Sequence, residues 1–429
     1  MNEQGIDYKL QGMVLMGTGN YRDAQRMFKK ALEIEECADL WIDLGNAYAS
    51  NAEYNEAINA FSNALSYEAE NAEILFDIGS VYLLQERLKK CIEYYNRAEE
   101  AGFDNVRLYM NLAAIYNALG DQQMELRNYT KAINKNPLIG DLYVKKAMLL
   151  LDMSRFEAAL DVLDDMRKLS PDAFEGYDLA ARIYLAQGSI GKAFAILDEG
   201  IKKFPNDVNL KLSKIGILTQ EKEADQAETM LEELKRNSYA DVYMRDILMQ
   251  EVAVASIRNQ PEQMKKLLLS IIEKETDVCD EQARFMLMMT CNLLEEYELA
   301  YEQAECLERQ ESNSTFAISG VYYKGEFLMK LGKTSDANIQ FKKAIKKLRK
   351  ISMSNRTYYE VYIYRALAHK QVKEYDKAIE MAGFIIDLQP EREDGYMILA
   401  DIYKDMGEEE KSEQQFNIAL EKNPDLKKE

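Results

Sequence analysis

Very few residues in this chain have types and spacing that could do covalent chemistry. His369 is the single histidine among 429 residues, and no Ser or Cys is spaced to it as a nucleophile would be. Gly17-Thr18-Gly19 has the small residues of a phosphate loop, but it lacks a preceding strand and a following Lys-Ser/Thr pair. Cys37, Cys91, Cys279, Cys291 and Cys306 are scattered without a CxxC pair, so zinc-ribbon and redox spacings are absent. No HExxH, EF-hand or dinucleotide fingerprint occurs. Carboxylates are plentiful, with 74 Asp and Glu against 54 Lys and Arg, as expected on solvated helix faces. An enzymatic reading would therefore need a reaction run by carboxylates alone. We assign no catalytic residue, no metal ligand and no cofactor.

Composition narrows the class further. Hydrophobic residues make up 47% and charged residues 30%, which describes a folding chain. Only 6 prolines accompany 27 tyrosines, a balance that suits helices with aromatic packing slots. The formal net charge of -20 argues against nucleic-acid partners and anionic membrane surfaces. The first residues, MNEQGIDYKLQ, show no basic segment leading into an apolar core, and the run from Phe285 to Leu294 is too short to span a bilayer. A soluble, cytoplasmic protein with reduced thiols is the expectation.

The elements that must position any site are clearest between Leu40 and Leu65. Trp41, Leu44 and Tyr48 recur at three and four residues and share one helix face. Gly45 leaves a notch on that helix, Ala57 supplies a small residue on the next, and Phe61 fills the space beside them. Asn51 and Ala52 mark the turn between. The spacing W-x2-L-G-x2-Y followed by A-x3-F resembles the tetratricopeptide repeat, a helix-turn-helix unit of about 34 residues.

Stepping from Ala38 by that period gives repeat starts at Ala72, Val106, Gly140, Phe174 and Val208, and backwards at Gly5. The register then slips and resumes near Asp246, Glu281, Ile318, Tyr359 and Glu393, making about twelve repeats. Pro137, Pro171 and Pro205, and again Pro390 and Pro424, recur in step at repeat ends. Pro261 is out of phase, in the turn of the eighth hairpin. Gly19, Gly120, Gly188, Gly332 and Gly407 fall at one slot between paired helices, where a left-handed residue is expected.

The resemblance implies an all-α fold, a right-handed superhelical solenoid of helix-turn-helix repeats whose first helices form a concave groove. Residues 5–241 read as an N-terminal array of about seven repeats, 242–280 as a degenerate hairpin, and 281–426 as a C-terminal array of about four. Extra residues at Ala240–Arg245 suggest a joint, or else a continuous superhelix with one poorly matching repeat. A second insertion at Lys350–Tyr358 lengthens another junction.

In this family the second, fifth, ninth and twelfth positions of the first helix usually face the groove. Here they include Lys9, Met13, Met16, Ile42, Asn46, Phe76, Ser80, Met110, Asn117, Val144 and Met148, with Asp178 and Arg182 giving a more polar continuation. Two readings stay open: an exposed, adaptable methionine-bearing lining for an extended or helical peptide, or packing against the neighbouring repeat. The family's two-carboxylate clamp is absent at the N-terminus, because Met13 stands where Asn belongs and Asp43 occupies the next Asn position.

Charge is uneven: no Lys, Arg or His occurs between Lys30 and Arg87, whereas Lys342, Lys343, Lys346, Lys347, Arg349 and Lys350 cluster in repeat ten. These are solvated outer faces, or patches that steer partners of opposite charge. The expected function is a non-enzymatic scaffold for a protein or peptide partner. The alternative is a peptide-responsive regulator that closes around a short signalling peptide, and Ile6, Met13, Val14 and Met16 on the first helix allow a homodimer through the N-terminal end.

Overall fold

The computed structural model describes residues 3–169, 174–236, 241–274, 279–310 and 312–428. Their helices fall into two compact units, Met1–Leu210 and Lys211–Glu429. The first unit holds α1 (Glu3–Gly17), α2 (Tyr21–Ile34), α3 (Ala38–Ser50), α4 (Tyr54–Tyr67), α5 (Ala72–Leu84) and α6 (Leu88–Glu100). It continues with α7 (Val106–Leu119), α8 (Gln122–Lys135), α9 (Gly140–Asp152), α10 (Phe156–Leu169), α11 (Glu175–Ala186) and α12 (Ile190–Lys203). The boundary falls within α13 (Val208–Gln220). The second unit follows with α14 (Ala224–Lys235), α15 (Met244–Ile257), α16 (Pro261–Ile272), α17 (Glu281–Leu293), α18 (Tyr297–Arg309) and α19 (Thr315–Lys330). It ends with α20 (Thr334–Ser354), α21 (Tyr359–Gln371), α22 (Tyr375–Leu388), α23 (Asp394–Asp405) and α24 (Glu409–Lys422). From α1 to α12 and from α14 to α24, each helix packs on the next. The described residues are thus all-α and form a stack of helical hairpins within each unit.

The 34-residue step places helix starts to within a residue or so over most of the chain. α3, α5, α7, α9, α13, α17 and α21 begin at Ala38, Ala72, Val106, Gly140, Val208, Glu281 and Tyr359, the positions read from the sequence. Two departures are informative. α19 starts three residues ahead of Ile318, and the insertion expected at the Lys350–Tyr358 junction is largely extra helix, because α20 runs for 21 residues. Leu348 and Ser352 are buried on that extension, so burial pulls the added chain into helix rather than loop. Pro261 opens α16, where its missing N–H costs no hydrogen bond. Pro171 and Ala240 lie outside the described residues.

One contact recurs between the paired helices of four hairpins. A Cβ on Gly45 would lie 2.7 Å from the Phe61 ring, one on Gly12 2.5 Å from Phe28, one on Gly79 2.5 Å from Tyr95, and one on Gly325 2.6 Å from Phe341. Each of these rings is fully buried, because the missing Cβ lets it press against the first helix's backbone. Ala113 and Ala400 occupy the glycine's position in their repeats, and there the corresponding rings, Tyr129 and Phe416, are only half-buried or exposed.

The turn between the helices also repeats. Asp121 N–H donates to the Tyr116 carbonyl at 2.9 Å and Gly120 N–H to that of Asn117 at 3.0 Å, the paired bonds of a Schellman motif. The same bonds recur from Arg87 to Tyr82, Ser189 to Tyr184, Lys333 to Leu328 and Glu408 to Tyr403. The expected left-handed glycines have φ of 77°, 73°, 69°, 74° and 78° at Gly19, Gly120, Gly188, Gly332 and Gly407. Other hairpins put Ala52, Glu86, Ser154, Lys222, Asn259, Glu295 or Lys373 in that slot with φ between 52° and 62°. The turn geometry is therefore common to the hairpins, while glycine is not.

These two constraints separate by mutation. Gly45→Ala gains about 1 kcal/mol of helix propensity but overpacks Phe61 at about 1–3 kcal/mol, so a net loss is expected in urea unfolding. Ala57→Leu, at a fully buried position of the same core cluster, should also destabilise by about 1–3 kcal/mol. Gly120→Ala meets no atom within 4 Å and should lose only the left-handed backbone preference, about 1 kcal/mol.

Candidate partner-binding site

The residues with potential chemistry occupy structural roles. His369 is buried, its Nδ1 lies 2.7 Å from Glu374 Oε2, and its carbonyl accepts the turn bond from Glu374 N–H. Burial holds the imidazole below its usual pKa despite that carboxylate. Burial also pushes the Cys91 thiol up to about 12 and the Cys291 thiol up to about 11, which makes both poor nucleophiles. Gly17 ends α1 and Gly19 is the left-handed turn residue. Among the described residues no cluster of His, Cys, Asp and Glu could hold a metal ion, and no helix is long and apolar enough to cross a membrane.

The first-helix face of the N-terminal unit divides into spent and exposed residues. Lys9 Nζ on α1 reaches Asp43 at 3.4 Å and Asp39 at 3.7 Å on α3, placing successive first helices side by side. Burial raises the Asp43 carboxyl even with Lys9 beside it. Ser80 Oγ donates to the Phe76 carbonyl at 2.9 Å and lies 3.0 Å from the Tyr95 hydroxyl. Asn117 donates to both oxygens of buried Glu125 at 3.2 Å. Met16, Ile42, Met110 and Val144 pack, partly buried, against separate core clusters. Phe76 corrects the expectation of a lining side chain. It is 2% exposed, stacked on Tyr95 and Phe103, because α5 has an apolar residue on nearly every side and this ring faces inward. Asp178 is half-buried. Met13, Met148, Asn46 and Arg182 remain exposed.

Two features were missed by periodicity. Asp77, one residue past Phe76, is half-buried, and its carboxyl is pushed up to about 6 by burial, with Arg107 lowering it and Glu73 raising it. The Arg107 guanidinium lies over the Phe76 ring at 4.9 Å, so it is shared between ring and carboxylate. A lone acid inside the apolar pattern ILFDIGSV was the available signal. The second feature is a recurring cleft between successive second helices, floored by the first helix between them. Between α2 and α4 it holds about 480 Å³ and is lined by Trp41, Tyr48, Lys29, Glu33, Glu36 and Glu56. Between α6 and α8 it holds about 300 Å³, with Glu99, Glu100, Arg127 and Lys131. Family positions point to first helices, so this second-helix surface had no signature to read.

A run of hairpins closed by one turn motif, each too small to bury its own apolar face, defines a helical repeat protein. Tetratricopeptide-repeat family models match residues 9–54, 42–105 and 144–208 and residues 393–426. The repeats are tetratricopeptide repeats, and the chain belongs to that family. Human Protein O-mannosyl-transferase TMTC1 is 22% identical over 206 residues, which is 47% of this chain and 23% of that protein. The Hsp70-Hsp90 organizing protein of Triticum aestivum is 23% identical over 183 residues, 43% of this chain and 28% of that protein. The aligned stretches thus span about a quarter of each relative's length. The crystal structure of yeast Tom70 aligns over 99% of this chain and 96% of its own, with 15% identity and a TM-score of 0.46. Proteins of this family generally mediate protein–protein interaction.

Asp77 yields a pH-dependent prediction. Its folded carboxyl titrates near 6, above the ordinary 3.8, so its favourable contribution is complete below pH 3.8 and lost as pH rises through 6. Asp77→Asn should therefore be more stable than wild type at pH 7.5 by about 1–3 kcal/mol, with the gap closing towards pH 4 in urea unfolding.

Proposed function

We propose that the chain is a non-enzymatic scaffold that holds a protein or peptide on the first-helix face of its N-terminal unit. The observation that carries this reading is the exposure of apolar side chains on that face: Ile6 at 45%, Met13 at 52% and Met148 at 47%. Several polar neighbours, Lys9, Ser80 and Asn117, are already satisfied within the fold, so recognition falls to flexible thioethers and aliphatics, with Asn46 and Arg182 beside them. An extended or helical peptide presenting apolar anchors matches this surface. Five free cysteines fit a reducing, cytoplasmic setting, and the net charge of -20 disfavours nucleic acid and anionic membranes as partners.

Affinity capture from the native host should recover partners with wild type that Met13→Glu/Met148→Glu loses, while both proteins share a melting temperature. Equal recovery by the two removes this reading. Leu10 and Val14, 56% and 67% exposed, extend the apolar surface of α1 and suit a second copy of the chain. Light-scattering mass should then rise towards the dimer with concentration and fall back in Leu10→Glu/Val14→Glu, whereas a constant monomer mass removes the dimer.

A further inference from the structure

The cleft between successive second helices recurs, but its charge does not. Between α2 and α4, Lys29 faces three carboxylates, Glu33, Glu36 and Glu56. Between α6 and α8, two cations face two carboxylates. Between α20 and α22, floored by α21, the cleft again holds about 480 Å³, and Lys342, Arg349, Arg365 and Lys377 face Glu374 and Glu380. An acidic chain has here concentrated an excess of positive charge in one concavity.

Of the four cations in this cleft only Lys377 is ion-paired, to Glu374 at 3.1 Å. Half-buried basic side chains elsewhere in the same unit do find carboxylates: Lys324 pairs with Glu305 and Glu308, and Lys370 with Asp401 and Asp405. Among the described residues the side chains of Lys342 and Arg349 form no ion pair and no hydrogen bond, and that of Arg365 forms no ion pair. The Arg365 guanidinium is held in place by Nη1 donating to Ser352 Oγ at 2.9 Å and by the Tyr362 ring at 5.8 Å. Its Nε is buried without a hydrogen-bond partner. Burial draws that guanidinium below its ordinary pKa, with Arg349 adding to the effect and Tyr362 and Glu380 offsetting it only in part. Glu374 does not supply a counter-ion, because it is engaged by His369 at 2.7 Å and Lys377 at 3.1 Å.

We propose that the cleft between α20 and α22 binds a phosphoryl group, with Arg365, Arg349 and Lys342 as its ligands. Four cations against two carboxylates leave two positive charges, which a phosphomonoester, carrying about −1.5 to −2 at pH 7, neutralises. Guanidinium groups suit phosphate because their planar fork donates two parallel hydrogen bonds to its oxygens. A volume of about 480 Å³ leaves room for the atoms that carry the phosphoryl group, so the source is either free phosphate or a phosphorylated side chain of a partner protein. This site is separate from the first-helix face, and its failure leaves the scaffold reading untouched.

The test is calorimetric titration of the full chain at low salt with inorganic phosphate, with a phosphoserine peptide, and with the same peptide unphosphorylated. Lys342→Gln/Arg349→Gln removes two exposed ligands, and Lys343→Gln/Lys346→Gln removes the same charge from α20 outside the cleft. We expect phosphate-bearing ligands to bind wild type, the unphosphorylated peptide not to, and Lys342→Gln/Arg349→Gln to weaken binding by about tenfold or more, the value of a lost charge-assisted contact. Lys343→Gln/Lys346→Gln should stay within about twofold of wild type. A phosphopeptide that binds more tightly than phosphate assigns the source to a partner protein, and equal affinities assign it to free phosphate. The proposal is overturned if neither phosphate-bearing ligand binds, if the unphosphorylated peptide binds equally, or if both double variants lose affinity alike.

Discussion

The contact on which this structure depends is an aromatic ring pressed into the space of a missing Cβ. Phe28 on Gly12, Phe61 on Gly45, Tyr95 on Gly79 and Phe341 on Gly325 each bring a second helix against the backbone of the first. The ring fixes both the distance between the helices and their axial register, since it fits at only one turn. Once that register is set, the chain must reverse in a few residues, and a left-handed residue with two backward hydrogen bonds does so in each hairpin cited. A hairpin made this way leaves one apolar side uncovered, and the next hairpin covers it. Packing inside the repeat thereby determines stacking between repeats.

That economy explains where sequence freedom lies. Positions under the ring accept only glycine or alanine, whereas the turn accepts Glu86, Lys222 or Lys373, because the αL cost of about 1–2 kcal/mol is spread over many repeats and offset by the bonds it permits. Surface positions carry no such constraint. The same cleft is acidic between α2 and α4, balanced between α6 and α8, and cationic between α20 and α22. One backbone plan thus presents different chemistry at different repeats, which is how a repeat array can serve more than one partner.

Hairpin count, helix starts and turn positions were legible from residue types alone, since Gly, Pro and the ring positions recur with the period. The candidate site was less legible. Ser80, Asn117 and Lys9 read as groove ligands, yet each is bonded within the fold, and Phe76 is core. Periodicity says which face of a helix a residue occupies but not whether a neighbour's side chain reaches it. Asp77 and Arg107 lie on different helices, and nothing in either helix's own pattern announces their approach.

What the sequence by itself determined is the repeat: an apolar face, a notch, a ring and a turn, all within about 34 residues, hence local and readable. Tertiary structure alone decided which polar groups are spent and which remain open. Lys9 is neutralised by acids some thirty residues on, whereas Arg365 stays without an ion pair in a cleft shared by three helices. The physical reason is that desolvation and charge pairing depend on distances between side chains of different hairpins. Those distances are fixed by stacking, which the one-dimensional pattern implies in kind but does not resolve residue by residue.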